Sequence, residues 1–104
     1  MNILHIDTSS NQEIVVSLEI DGKKYTAQEK IGREKAQVVL PMVDELCKKH
    51  KVVLKDIDEI KVNTGPGSFT GLRVGISIAN AFSYALKIPV NGKKIRELVE
   101  PSYE

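Results

Sequence analysis

Residues 57–63 alternate apolar and polar side chains as a strand does, residues 72–86 carry them at helical spacing, and a run with glycine at 65, 67 and 71 joins the two. A strand that passes within a few residues into a long helix is the joint of an α/β layer fold, in which a helix buries its apolar stripe on a sheet. Gly65 and Gly67 open backbone conformations closed to other residues, and Ser68 or Thr70 can cap the following helix. Gly65, Gly67, Ser68 and Thr70 are therefore read as a structural turn. The run fails the common phosphate motifs. A P-loop requires Gly-Lys-Ser/Thr, yet no lysine occurs between Lys61 and Lys87, and the dinucleotide fingerprint needs a third glycine where Thr70 stands.

The rest of the chain fits this joint. Ile3, Leu4 and Ile6 form an apolar run that ends in Asp7, Thr8, Ser9 and Ser10, the pattern of a buried strand entering a turn. Residues 14–20 are rich in β-branched side chains, Asp21-Gly22 signals a two-residue hairpin, and residues 23–31 return with polar alternation. Over residues 33–51 the period changes: Ala36, Val39, Leu40, Val43, Leu46 and Cys47 share a helical face that Val38 and Met42 widen, with Pro41 expected to kink or restart the helix. A last short strand is expected at residues 88–91. The order is βββαβαβ, a hairpin followed by parallel crossovers, which predicts a mixed sheet in an α/β, ribonuclease-H-like half-domain. Residues 1–92 are read as that domain and residues 93–104 as a charged carboxyl-terminal tail.

The helix after the glycine run carries more apolar surface than one sheet can cover. At about 100° per residue, only Arg73, Ser77, Asn80 and Tyr84 fall on a polar strip, whereas a helix on a sheet needs to bury only about 100° of its circumference. The excess predicts a second contact. Gly71, Gly75, Ala79 and Ser83 recur every fourth residue, a spacing that lets another backbone approach closely. The expected partner face therefore comprises Gly71, Gly75, Ile78, Ala79, Phe82 and Ser83, together with Val39, Met42, Val43 and Leu46 of the preceding helix.

Charge and composition narrow the function classes. Fifteen Lys and Arg stand against fourteen Asp and Glu, a balance too even to hold nucleic acid by counterion release alone. Cys47 is the single cysteine, which rules out an internal disulfide and a paired-cysteine zinc site. Residues 1–7 reach an acidic side chain too early for a signal peptide, and the uncharged run at 74–86 is shorter than the roughly 20 apolar residues of a membrane span. A cytoplasmic protein without membrane association is expected.

Four stretches then carry a resemblance. Residues 3–10 (ILHIDTSS), Leu40-Pro41-Met42 on a helix, residues 65–77 (GPGSFTGLRVGIS) and Ile88-Pro89-Val90 before Gly92 resemble TsaB-type proteins in order and spacing. The resemblance runs from Met1 to about Gly92. It implies an actin-like ATPase-superfamily fold whose halves each start from a ribonuclease-H-like unit. It also implies a non-catalytic scaffold role in making threonylcarbamoyladenosine in tRNA, partnership with the catalytic paralogue TsaD through the helices at 33–51 and 72–86, and tRNA contact only through that complex. TsaB-type chains continue through a second half of comparable size. A glycoprotease label attaches to the family through a metal-binding paralogue with a His-x-x-x-His pair, but residues 33–40 here hold no histidine.

Alternatives remain beside this reading. Asp7, Thr8 and Ser9 occupy the place where actin-like ATPases hold phosphate and magnesium, so a weak nucleotide loop competes with plain side-chain-to-backbone bonding at a strand end. His5 and His50 show no spacing that joins them to each other or to Cys47, and no histidine serves Ser9, Ser10 or Ser68 as a base. No catalytic residue, metal ligand or cofactor is assigned. The rival functions are an ATPase or glycoprotease-like enzyme and an independent homodimer built on the same helices, which is also the state expected of the isolated chain.

Overall fold

The structure, a computed structural model, describes residues 1–10, 12–30 and 35–92. The expected helix start at 33–34, the end of the hairpin at 31 and the tail at 93–104 lie outside the described residues. Strands β1 (Asn2–Asp7), β2 (Glu13–Ile20) and β3 (Lys23–Lys30) precede helix α1 (Lys35–Lys49). Strand β4 (Glu59–Val62) and helix α2 (Phe69–Leu86) follow. They form a four-stranded sheet in the order β3-β2-β1-β4, with β1 antiparallel to β2 and parallel to β4.

The hairpin closes at Asp21 and Gly22, whose positive φ angles of 49° and 87° are those of a turn matched to strand twist. Register puts Leu4 opposite both Leu18 and Ile60, and Ile6 opposite both Val16 and Val62, so one face of the sheet is continuously apolar. α1 and α2 touch each other. α1 packs on β2 and α2 on β1 and β4, with Val39, Val43, Leu72 and Ala79 among the buried side chains of the shared core. Pro41 lies inside α1, which continues past it as a single helix. The helix therefore does not restart there, and the exposed ring stands on its solvent side, where the carbonyl it leaves unpaired can reach water.

The expected last strand is reduced to a single bridge, Val90 beside Ile60. Its backbone turns away at Asn91, which adopts φ 51°. Instead, the Asn91 side chain continues the ladder, accepting from the Val62 amide at 2.8 Å and donating to the Val62 carbonyl at 3.0 Å. No helix among the described residues is long and apolar enough to cross a membrane.

Candidate functional site: a knotted strand-end loop and an exposed helix flank

At the carboxyl ends of β1 and β4, Asp7 points into its own loop. Its Oδ1 accepts from the Ser9 amide at 2.9 Å and from the Ser9 hydroxyl at 2.6 Å, and Asn63 Nδ2 donates to that same hydroxyl at 3.1 Å. Partial burial is the largest single influence on the Asp7 carboxyl and raises its pKa. The bonds from Ser9 and Asn63 together outweigh it and hold the group below the ordinary carboxylate range. The Ser68 amide donates to the Ser9 carbonyl at 2.8 Å, drawing the two loops together. Gly67 is required where they meet, since a Cβ there would lie 2.7 Å from the Ser9 Cβ and 2.9 Å from its carbonyl oxygen. Gly65 adopts φ 123°, a conformation open in practice to glycine alone. Of the two cap candidates, Ser68 is the N-cap, its hydroxyl accepting from the Gly71 amide, and Thr70 lies exposed in the first turn.

Thr8 is wholly buried beneath α2. Its hydroxyl donates to the Gly71 carbonyl and accepts from the Gly75 amide at 3.0 Å, bonding to two groups one helical turn apart. A Cβ on Gly75 would collide with that hydroxyl. The small-residue spacing therefore does admit a close backbone, but it is the chain's own β1 end.

This corrects the expected partner face. Gly71, Gly75, Ala79 and Ser83 look inward, and so do Val39, Met42, Val43 and Leu46, all buried in the domain's core. Periodicity shows that apolar positions share a side but not which side the sheet takes. Only Ile78 and Phe82 of the expected set stay partly exposed. With Val74, Ala81 and Ala85 they form a continuous apolar flank on α2, while Arg73, Ser77 and Tyr84 stand exposed on the opposite flank. Leu40, 49% exposed, adds an apolar side chain on α1. The excess apolar surface is real, and it is carried by different residues.

The family model described as TsaD, tRNA N6-adenosine threonylcarbamoyltransferase, matches residues 22–93. Two relatives described as tRNA threonylcarbamoyladenosine biosynthesis protein TsaB, from Buchnera aphidicola subsp. Schizaphis graminum and from Escherichia coli, are each 38% identical over 92 residues. They cover 86% and 88% of the chain. The solved structure of YeaZ from Pseudomonas aeruginosa superposes with a TM-score of 0.82 at 35% identity, covering 89% of the chain. The chain belongs to this family and matches the amino-terminal half of TsaB. It spans 42% and 39% of those two TsaB relatives and 43% of the YeaZ chain. The superposition on YeaZ fits the ribonuclease-H-like, actin-like half-domain that the sequence predicted.

The two histidines and the cysteine of this TsaB-like half are engaged separately. His5 bonds Glu19 at 3.1 Å on the sheet face away from the helices. His50 stacks on Tyr25 with ring centroids 4.0 Å apart, and Cys47 is buried, its thiol pushed up by burial and then by Asp44. Among the described residues no group of three or more His, Cys, Asp or Glu could hold a metal ion.

Proposed function

We propose that this TsaB-like half is a non-catalytic scaffold in threonylcarbamoyladenosine biosynthesis, docking on a TsaD-type threonylcarbamoyltransferase in the cytoplasm and reaching tRNA only through that partner. The apolar flank of Val74, Ile78, Ala81, Phe82 and Ala85 on α2 carries the proposal, because it leaves Ala81 and Ala85 exposed and Val74, Ile78 and Phe82 only partly covered, although Ile78 and Phe82 also lean on the core. Catalysis stays with the partner on this reading. The one carboxylate at the strand-end loop spends its acceptor Oδ1 on Ser9, which favours a shaped turn over a phosphate and magnesium loop.

The test is to mix the chain with the TsaD protein of the same organism and follow the complex by size-exclusion chromatography with light scattering. Ala81→Glu places a charge on the exposed side of the flank and should abolish the complex while the melting temperature holds. Ser77→Glu on the polar flank should leave binding intact. A complex that survives Ala81→Glu, or is lost equally in both variants, removes the flank from the interface.

A further inference from the structure

Asn91-Gly92 is the one Asn-Gly pair in the sequence, and both residues are exposed. An asparagine amide is attacked most readily by the backbone nitrogen of the next residue when that residue has no side chain to shield it. Gly92 meets this condition, since nothing stands within 4 Å of the place a Cβ would take. The seated chain withholds both reactants. The Asn91 side chain is held across the edge of β4, its Oδ1 accepting from the Val62 amide at 2.8 Å and its Nδ2 donating to the Val62 carbonyl at 3.0 Å. The Gly92 amide donates to Glu59 Oε2 at 2.9 Å. Two backbone bonds complete the seat, from the Ile60 amide to the Pro89 carbonyl at 3.0 Å and from the Asn91 amide to the Ile60 carbonyl at 2.8 Å.

We propose that Asn91 is a deamidation site gated by release of residues 89–92 from the edge of β4, and that its conversion makes the release permanent. On release, the Gly92 nitrogen gives its proton to hydroxide and bonds to Asn91 Cγ. The Cγ–Nδ2 bond breaks, ammonia leaves carrying a proton from water, and a succinimide is closed. Water then opens the ring at either carbonyl, to aspartate or to isoaspartate. Closure needs the Gly92 nitrogen turned onto Cγ, whereas the seated chain points its N–H at Glu59 and holds the Asn91 amide in two bonds to Val62, so the step waits for local opening. The product does not seat again. Aspartate brings a carboxylate oxygen to the place from which Nδ2 donated, so two acceptors face each other at the Val62 carbonyl, and isoaspartate lengthens the backbone by a carbon.

The test holds the full chain in warm, mildly alkaline buffer and follows position 91 by peptide mapping, with enzymatic isoaspartate labelling as a second readout. Conversion is expected to be slower by about tenfold or more in the folded chain than in guanidinium chloride, because several bonds must open first. Glu59→Ala, which frees the Gly92 amide, should speed conversion of the folded chain by roughly threefold or more and change nothing in denaturant. Asn91→Asp reproduces the aspartate product. In that variant, amide exchange followed by NMR should show protection lost at Ile60 and at position 91 while β1 and β2 keep theirs. The proposal is overturned by conversion in the folded chain as fast as in denaturant, or by unchanged protection at Ile60 in Asn91→Asp. Slower or unchanged conversion in folded Glu59→Ala overturns it as well, the slower result making Glu59 the base that draws the Gly92 proton.

Discussion

Gly75 and Thr8 act as one unit. Alanine at 75 would gain about 1 kcal/mol of helix propensity. Its Cβ meets the Thr8 hydroxyl, however, forcing that buried group off the Gly75 amide and the Gly71 carbonyl. Overpacking costs about 1–3 kcal/mol and an unsatisfied buried polar group a similar amount, so the net effect of Gly75→Ala is destabilising. Urea unfolding should show a lower midpoint, and adding Thr8→Ala should restore part of the loss, a non-additivity expected of residues in contact. A midpoint equal to or above that of the unaltered chain would show that the helix shifts at no cost. Asp7 makes a second residue-scale prediction through pH. Its folded pKa is depressed, so its bonds stabilise the fold fully above the unfolded value of about 3.9, and the contribution fades as pH falls through the lower folded value. Asp7→Asn should flatten that part of the stability profile, and a profile unchanged by the substitution would count against the Ser9 bonds as its source.

At the scale of elements, α2 depends on its first turn. Ser68 supplies the side-chain cap, and no acidic residue stands in that turn to offset the orphan amides. Ser68→Ala should therefore cost about 1 kcal/mol, measured as a fall in thermal midpoint, whereas Thr70→Ala at the neighbouring exposed position should cost markedly less. Equal losses at the two positions would point to general strain in the loop instead of a cap. The end of α2 is held differently: Lys87 takes the left-handed conformation at φ 57°, and the Ser83 hydroxyl donates to the Ile88 carbonyl. That bond explains why a serine fits within a core of aliphatic side chains.

At the scale of the whole molecule, the flank on α2 should make the isolated chain self-associate, because two copies can cover the same stripe when no partner does. Sedimentation across a concentration series should give a rising average mass, and Ala85→Arg should return the chain to monomer without lowering its melting temperature. A monomer at high micromolar concentration would leave the flank without evidence of stickiness. The strand and helix order through α2, the hairpin turn and the joint at Gly65–Ser68 were legible in the sequence, whereas the last expected strand shrank to one bridge. They rest on local spacing, on φ angles that few residues accept and on capping chemistry, each confined to a few neighbouring positions. The orientation of α2 was not legible. Its circumference offers one apolar arc through Gly75 and Ala79 and another through Ile78 and Ala81, and spacing alone treats the two alike. The short loop from β4 and the buried Thr8 hydroxyl bring the glycine arc down onto the end of β1, where only a residue without a side chain fits, and turn the other arc to solvent. That choice depends on a contact between positions 8 and 75, far apart along the chain, and so it was made only by the tertiary structure.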